Sequence, residues 1–362
     1  MEVIVVSDGK KGHVNQSLAL AELLGAQCIQ VLTQKHLEPV CDFLARFFSP
    51  VLSPRDYPSS WRRSIMRRCI GVTSLPKLNN PGEKPVVIAT GTLTAVASLA
   101  LAGELGARIL HVLSPSFVPY KLFDAVVLPQ HDVSRKPRGN VLTLPIALGP
   151  VGGKNVDESL DEMKRRLGVN EIAPGDCIAV LIGGDSAHYI MEETKLVAAV
   201  ERLAELAKQR SLHILLTTSR RTPEAIENQL QSLVNANDEV FAFCVWGRTD
   251  KFNPIPAFLE LAQAVVVTEE SVSMVSEAVL AGHRPFIIPL ERRDHSRKFP
   301  RFYSFLEERS LVRKLPLEGR RDDAWNAALK MPRQNRTELA ESIGLPQVIA
   351  ELRKLLKLED AA

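Results

Sequence analysis

Cysteine is scarce in this 362-residue chain, and none of its five cysteines forms a C-x-x-C pair or lies in a His-rich stretch. We therefore expect free thiols in a reducing cytosol, and neither a disulfide framework nor a zinc site. Long apolar runs are also missing, since the most apolar helix candidate, Leu93–Leu101, is soon followed by Glu104 and Arg108. These absences argue against a small secreted domain and a membrane-spanning protein, and a 45% hydrophobic content is typical of a globular chain.

A strong net charge is absent as well, because the formal value is only +3. Residues 1–150 carry 16 Lys and Arg against 10 Asp and Glu, whereas the remainder carries 29 against 32. The modest N-terminal excess suits a negatively charged substrate or an anionic membrane surface. Duplex nucleic acid would require a stronger basic footprint, so we expect no nucleic-acid partner.

Apolar strand-like runs alternate with helical segments along the chain, which predicts parallel sheets with crossover helices. The runs are 3–6, 85–89, 109–113, 125–128, 141–144, 177–182, 213–217, 240–243, 264–267 and 286–288. Each half opens with a strand, a glycine-containing loop and a helix. The first helix is predicted from about Val14 to Leu24, and the second from about Tyr189 to Lys208. The two similar openings predict an α/β protein of two Rossmann-like domains.

The domain boundaries are predicted where glycine, proline and charged residues interrupt this alternation. They define a first domain at 1–148, a linker at 149–174, a second domain at 175–335 and a helical tail at 336–362. Gly344 and Pro346 should divide the tail into two short helices. The tail could pack across the domain junction.

Residues 264–290 form the most informative stretch, and they indicate strand, polar loop, short helix, tight turn and strand. Glu270, either Ser273 or Met274, and Glu277 recur at helical spacing on one face. A helix that opens at the end of a parallel strand is where open α/β sheets bind ligands, and its free N–H groups suit a phosphate. Glu277 is placed to accept hydrogen bonds from ribose hydroxyls. Spacing alone fits an ordinary α/β unit with a solvated acidic face equally well.

Taken together, these features resemble the GT-B fold of nucleotide-sugar glycosyltransferases, in which two Rossmann-like domains face each other across a cleft. Residues 264–290 look like the donor-binding element of the enzyme that adds N-acetylglucosamine to lipid I. A closer resemblance is to the elongated-mitochondria fission family of plants and its bacterial homologues, which are described as glycosyltransferases. The matching segments are SDGKKGHVNQSLALAELLG (7–25), LPQHD (128–132), LIGGDSAHY (181–189), TTSRRTP (217–223), NPIPAFLELAQAVVVTEESVSMVSEA (253–278) and GHRPFIIPL (282–290).

The resemblance implies that the second domain holds a nucleotide-sugar donor. The loop with Gly183, Gly184 and Ser186 would face the donor diphosphate, because glycine lets the backbone approach a ligand. Its alternative role is a tight turn in which Asp185 or Ser186 caps a helix.

A second donor loop follows the strand at 213–217. Of its two adjacent arginines we favour Arg220 as the phosphate ligand, because it lies nearer the strand end than Arg221, and Ser219 lies beside it. The alternative is a solvated pair of arginines.

The third donor loop contains Thr268, Ser271 and Ser273, whose hydroxyl and backbone N–H groups are candidates for phosphate contacts. Glu269 and Glu270 would repel a diphosphate, so they are expected to favour the helix dipole or to bind sugar hydroxyls.

No two aspartates anywhere in the chain have D-x-D spacing, the motif with which the other large glycosyltransferase class holds a divalent metal. We therefore expect neither a metal nor a cofactor. Departure of the nucleoside diphosphate would be stabilised by helix N-termini and Arg220.

On the acceptor side, the pattern Gly-x-x-Asn-Gln of the family is matched by Gly12, Asn15 and Gln16. His13 in the same loop could act as general base on an acceptor hydroxyl, or it could cap the helix or simply be exposed.

Two further first-domain strands end in polar residues. Asp132 could orient His131 or act as the base itself, or the two could stabilise their loop. Gly91 and Thr92 could bind an acceptor phosphate or cap a helix.

Basic and aromatic residues are mixed in Arg46–Phe48 and in Trp61–Arg68, which would suit a peripheral contact with the inner membrane and a lipid-linked acceptor. The alternative is a helical excursion that packs on the first domain.

The resulting hypothesis is a cytosolic transferase that moves a sugar from a nucleotide donor to a hydroxyl of an envelope glycolipid or oligosaccharide. A nucleotide-sugar epimerase can share this fold, but it would need acid–base carboxylates close to the sugar carbon. A third possibility is a non-catalytic adaptor, because the plant relatives are associated with the recruitment of a dynamin-like protein. An intact diphosphate site would favour an enzyme, and a site blocked by side chains would favour the adaptor.

Overall fold

The structure is a computed structural model that describes residues 1–33, 53–71, 75–79, 82–115, 118–133, 139–149, 154–168, 172–315 and 333–358. The chain forms two compact units. The first unit comprises Met1–Pro150 together with Ile343–Ala362, and the second comprises Val151–Ser342. The last residues of the chain therefore belong with the first unit.

The first unit is built on a six-stranded parallel sheet. Its strands are β1 (Glu2–Ser7), β2 (Cys28–Thr33), β3 (Val86–Thr90), β4 (Arg108–Val112), β5 (Ala125–Pro129) and β6 (Val141–Leu144), in the order β2-β1-β3-β4-β5-β6. Because β1 lies inside the sheet, the direction of strand addition reverses between β1 and β3. Ligands of open α/β sheets bind at such a reversal.

The second unit repeats this architecture with the full Rossmann order. Its strands are β7 (Cys177–Leu181), β8 (Tyr189–Ile190), β9 (His213–Thr217), β10 (Phe241–Val245), β11 (Ala262–Thr268), β12 (Phe286–Ile288), β13 (Glu291–Arg292) and β14 (Arg313–Lys314). The parallel sheet has the order β10-β9-β7-β11-β12-β14, and β8 and β13 form a separate antiparallel ribbon. The reversal lies between β7 and β11. The predicted α/β class with two Rossmann-like parallel sheets is confirmed.

Helices cover both sheets. In the described ranges they are α1 (Lys11–Leu23), α2 (Ser59–Cys69), α3 (Ala95–Leu105), α4 (Lys154–Leu167), α5 (Glu193–Gln209), α6 (Glu224–Ala236), α7 (Ile255–Leu261), α8 (Val272–Leu280), α9 (Lys298–Glu308), α10 (Arg336–Ser342) and α11 (Leu345–Leu355). The central strands β1, β3 and β7 are buried along their whole length, as continuous apolar runs in a parallel sheet should be. Each unit therefore has its own core, made of a sheet interior and the helices packed on it.

Two helix predictions had different outcomes. The helix expected from about Tyr189 is wrong, because β8 forms there and α5 begins only at Glu193. The division of the tail is confirmed, since Gly344 adopts a left-handed φ of 70° between α10 and α11. A left-handed φ is nearly free of strain only for glycine.

The prediction of five free thiols is wrong for Cys69, which is disulfide-bonded. Cys177 and Cys244 are free, and burial raises the pKa of each thiol to about 12. None of the described helices is long and apolar enough to cross a bilayer.

Candidate functional site

Three loops of the second unit meet at the reversal point of its sheet. They follow β9, β7 and β11, whose C-terminal ends lie side by side. The Gly183 N–H donates a hydrogen bond to Thr268 Oγ1 at 2.8 Å, and the Thr222 hydroxyl donates to the Gly183 carbonyl oxygen. The structure therefore brings together the three loops that the sequence assigns to the donor.

The glycines of the β7 loop are required by close packing between these loops. A Cβ on Gly183 would overlap the Glu270 carboxylate, and one on Gly184 would overlap the backbone of Arg221. The Gly184 N–H donates to Glu270 Oε1 at 2.7 Å. Both glycine N–H groups that the sequence assigns to a diphosphate thus bind Thr268 and Glu270 in this structure.

Glu270 is a buried carboxyl group at the centre of this junction. Its Oε2 has no hydrogen-bond partner among the described residues. Burial raises the pKa of Glu270, and hydrogen bonds from Thr268 and Gly184, followed by the positive charge of Arg221, oppose that shift. Because burial disfavours the ionised form even though Oε1 accepts a hydrogen bond, this group favours the protonated form more than an exposed glutamate does.

In the β9 loop, Arg221 rather than Arg220 lies against the glycine loop. The Arg221 backbone packs on Gly184, and its charge acts on Glu270. Both arginine side chains are exposed, and no hydrogen bond or ion pair of the described residues involves the Arg220 guanidinium. The loop is closed by the Ser219 N–H, which donates to Thr222 Oγ1 at 2.9 Å. Distance from the strand end favoured Arg220 in the sequence, whereas the packing of the turn puts Arg221 against the glycine loop.

The first turn of α8 starts at the end of the β11 loop without a side-chain cap. The Ser271 N–H donates back to the Thr268 carbonyl oxygen at 3.3 Å, so the loop makes a tight turn into the helix. Ser271 is buried and Ser273 is exposed. An uncapped first turn directs N–H groups outward, which is the arrangement that binds anions.

Glu277 follows Ser273 by one turn of α8, on the same face. The Ser273 hydroxyl donates to Glu277 Oε1 at 3.2 Å. Glu277 is half-buried rather than exposed, and burial raises its pKa to about 7. This carboxyl group can therefore change its charge near neutral pH.

A pH dependence of stability follows for Glu277. Its pKa is raised from 4.5, so ionisation opposes folding as the pH rises through about 7, and the opposition is absent below about 4.5. We expect Glu277→Gln to be more stable than the parent by about 1–2 kcal/mol above pH 8, after allowance for partial exposure, with no such gain below pH 4.5. Denaturant unfolding of the full chain across this pH range measures the difference. Glu201→Gln, an exposed change on α5, is the control, and a gain that does not vary with pH would contradict the prediction.

Glu269 has a structural role that the sequence does not reveal. Its carboxylate accepts a hydrogen bond from the Leu290 N–H at 3.0 Å and lies 3.3 Å from Lys314 Nζ. The Tyr303 hydroxyl donates to the Glu269 carbonyl oxygen. These contacts tie the end of β11 to β12 and β14, so the Glu269 carboxylate is engaged with the sheet.

Asp185 and Ser186 hold the β7 loop rather than cap a helix. Ser186 Oγ accepts hydrogen bonds from the N–H groups of His188 and Tyr189, at 3.2 and 3.1 Å. Asp185 Oδ1 accepts from the Met191 N–H at 2.9 Å. The capping alternative for these two residues is wrong, because six residues separate Ser186 from Glu193, the first residue of α5.

In the first unit, His13 is paired with a carboxylate that sequence analysis did not select. His13 Nδ1 lies 3.0 Å from Asp8 Oδ2, where Asp8 belongs to the loop after β1 and His13 to the first turn of α1. Gly91, at the end of β3, has a φ of 84°, and a Cβ built there would lie 3.0 Å from His13 Cε1. The reversal point of this sheet therefore holds a carboxylate-backed imidazole against a glycine.

The other acceptor-side candidates are more scattered. Gly12 is exposed with open space around it, and Asn15 and Gln16 are half-buried on α1. The Thr92 hydroxyl donates to the Ser114 carbonyl oxygen at 3.4 Å.

His131 and Asp132 lie in a short 3-10 turn after β5. His131 is buried, and its Nε2 lies 3.9 Å from Asp132 Oδ1. β5 lies three strand spacings from β1, about 14 Å at about 4.8 Å per strand, and two spacings from β3, whose Gly91 lies against the His13 ring.

Within the part of the chain that the structure describes, no group of three His, Cys, Asp or Glu side chains could hold a metal ion. Two Rossmann-like units and a reversal point with polar loops define the class as an α/β protein with a candidate nucleotide-binding site. The chain belongs to the mitochondrial fission ELM1 family, whose family model matches residues 11–343.

Comparison with other proteins gives similar chains of nearly the same length. The uncharacterized protein RP120 of Rickettsia prowazekii is 22% identical over 340 residues, which cover 86% of this chain and 90% of RP120. Among solved structures, the UDP-GlcNAc 2-epimerase of Methanocaldococcus jannaschii is 11% identical, with a TM-score of 0.49 and coverage of 96% of this chain and 99% of the epimerase. The ADP-heptose LPS heptosyltransferase II of E. coli is 13% identical, with a TM-score of 0.46 and full coverage of both chains.

Proposed function

We propose that this protein binds a nucleotide sugar in the second unit and transfers the sugar to a hydroxyl of an envelope glycolipid or oligosaccharide without a metal ion. The observation that carries the proposal is the convergence of three polar loops on the reversal point between β7 and β11, directly before the uncapped first turn of α8. Open α/β sheets bind ligands at this position.

Each part of the donor has a candidate partner in this arrangement. The first turn of α8, with Ser271 and Ser273, suits the diphosphate, and Arg221 adds a positive charge beside it. Glu277 suits the ribose hydroxyls, because an ionised carboxylate accepts strong hydrogen bonds. Thr268 and Glu270 accept hydrogen bonds from the N–H groups of Gly183 and Gly184 and so stabilise the β7 loop.

We expect a nucleoside diphosphate or nucleotide sugar to raise the melting temperature of the full chain. A ligand at 100 times its Kd stabilises the folded state by about 2.7 kcal/mol, which corresponds to roughly 5–10 °C for a unit of this size. Thermal denaturation with a panel of nucleoside diphosphates and their sugars, followed by calorimetry of any hit, measures the effect. If no member of the panel changes the melting temperature at millimolar concentration, the donor site does not exist.

A non-catalytic adaptor is the second candidate, because one observation favours it. The N–H groups of Gly183 and Gly184 are already bonded to side chains of the protein, so they are not open to a diphosphate in this structure. A chain that binds no nucleotide in the panel above, yet folds normally, would support the adaptor.

Metal independence gives a further prediction. The chain has no D-x-D spacing, and the helix N-terminus and arginines of the second unit can stabilise a departing diphosphate without a cation. We therefore expect transfer to proceed in EDTA at the rate measured before chelation. The assay compares turnover in EDTA with turnover after added magnesium or manganese, and activity that needs either cation would contradict the prediction.

A lipid-linked acceptor is consistent with the surface of α2. Trp61 is 62% exposed, and Arg67 and Arg68 are exposed on the same helix. Arg62 and Arg63 instead pair with Glu104. The other basic and aromatic segment, 46–48, lies outside the described residues.

A further inference from the structure

The ribbon of β8 and β13 lies over the end of β11. β8 follows the loop after β7, and β13 follows β12, while β11 lies between β7 and β12 in the sheet. The ribbon therefore has to cross the C-terminal end of β11, above the loop that leads into α8. Burial and then the charge of Glu269 raise the pKa of Tyr189 on β8, which agrees with this placement.

A histidine and an aspartate are paired at one end of this ribbon. His188 Nδ1 lies 2.5 Å from Asp294 Oδ2, and the hydrogen bond from His188 lowers the pKa of Asp294. The Arg293 N–H donates to the His188 carbonyl oxygen at 2.8 Å, and the Ser296 N–H donates to Asp294 Oδ1 at 3.1 Å. The His188 ring also packs on Phe299, with ring centroids 5.1 Å apart. Backbone pairing, a turn and an aromatic contact thus fix the orientation of the imidazole.

The opposite edge of the His188 ring is available to a ligand. The side chain is 35% exposed, and its Nε2 forms no hydrogen bond within the described part of the chain. A carboxylate on one ring nitrogen with the other nitrogen open is the arrangement used for proton transfer, because the carboxylate orients the ring and stabilises the imidazolium. No other element of the proposed donor site supplies such a group.

We propose that His188 is the general acid for the leaving nucleoside diphosphate, with Asp294 as its positioning residue; this inference depends on the proposed function. As the bond between the anomeric carbon and the β-phosphate oxygen breaks, its electron pair moves to that oxygen. The imidazolium Nε2–H donates its proton there, while the Nδ1 proton stays on the ring and remains hydrogen-bonded to the Asp294 carboxylate. The acceptor oxygen bonds to the anomeric carbon and loses its own proton to the acceptor-side base.

The first test asks whether His188 lies at the nucleotide site, without reference to activity. The full chain is treated with diethyl pyrocarbonate, and modified histidines are mapped by mass spectrometry with and without the nucleoside diphosphate that binds in calorimetry. We expect saturating nucleotide to slow modification of His188 at least about tenfold. His295, exposed on the loop after β13, is the control and should react at an unchanged rate.

The second test measures release of nucleoside diphosphate from the nucleotide sugar that binds. In His188→Asn the side-chain amide can still donate a hydrogen bond to Asp294, so the fold should be retained. The variant has no Nε2 and therefore no proton to give to the leaving group. We expect kcat to fall by about 10²–10⁴-fold while donor affinity stays within about threefold of the parent. Asp294→Asn should also lower kcat with little change in KM, and His295→Gln should behave like the parent.

The outcomes separate this inference from the proposed function. If no nucleotide binds, both are wrong. If nucleotide binds but leaves modification of His188 unchanged, the donor site stands and the acid role is wrong. The acid role is also overturned if the parent binds a nucleotide sugar but never releases nucleoside diphosphate, or if His188→Asn turns over normally.

Discussion

Gly184→Ala is expected to lower the free energy of unfolding of the second unit by about 3 kcal/mol, the upper part of the range for an overpacked site. A Cβ on Gly184 would overlap the Arg221 carbonyl group and would lie 2.5 Å from the Thr222 backbone nitrogen. These neighbours are backbone atoms in a turn held by hydrogen bonds from Ser219 and Thr222, so they cannot move aside as a flexible side chain could. The melting temperature of the second unit should fall by roughly 6–12 °C.

Gly12→Ala is the matched control for this change. No atom lies within 4 Å of a Cβ at Gly12, which is in the first turn of α1, so alanine should be neutral or should stabilise the helix by up to about 1 kcal/mol. Denaturant unfolding of both variants measures the difference. Equal stability of Gly184→Ala and the parent would show that the glycine is not required by the packing of the three loops, and a ligand would then be the better explanation for it.

His13→Ala is expected to lower turnover by about 10²–10⁴-fold with donor affinity nearly unchanged, if His13 is the base that activates the acceptor. The reason is its position at the reversal point of the first sheet with Asp8 on Nδ1, 3.0 Å away, which leaves Nε2 to accept a proton. Asp8→Asn should lower kcat as well, since it removes the charge that stabilises the imidazolium. Initial rates and donor binding are measured separately on the same preparations.

Asp132→Asn is the comparison for His13. It follows β5, about 10 Å from β3, whose Gly91 lies against the His13 ring, so we treat His13 and Asp132 as separate candidates for the base. We expect near-parental turnover from Asp132→Asn. A large loss in this variant together with normal turnover of His13→Ala would move the base to β5, and loss of donor binding by His13→Ala would mean that the first unit helps to hold the donor.

The local sequence pattern was sufficient to predict most strands of the two parallel sheets and the location of the donor loops. Continuous apolar runs such as those of β1, β7 and β11 are typical of buried strands in a parallel sheet, and a polar loop with a helix after it marks the ligand edge of such a sheet. β2 was missed because Gln30 and Thr33 interrupt its apolar residues, and Val31 is 46% exposed at the edge of the sheet. β8 and β13 were missed because two-residue strands carry no periodicity.

The roles of individual site residues depended on contacts between distant parts of the chain. Asp294 and His188 form a hydrogen bond although they are 106 positions apart in the sequence, and Glu270 and Gly184 do so although they are 86 positions apart. Sequence spacing carries no signal for such pairs, because strand order decides which loops become neighbours. The choice between Arg220 and Arg221 likewise depended on how one turn packs against another.

The sequence by itself determined the α/β class, the two similar units and the polar loops at their strand ends, because burial and backbone hydrogen bonding restrict such patterns to parallel sheets with crossover helices. Only the tertiary structure decided that the glycines of the β7 loop serve close packing, that Glu269 supports the sheet, that Glu277 is half-buried and that His13 and His188 each have a carboxylate partner. The physical reason is that burial and charge at a site are set by side chains from several strands. These side chains meet only when the sheet has formed.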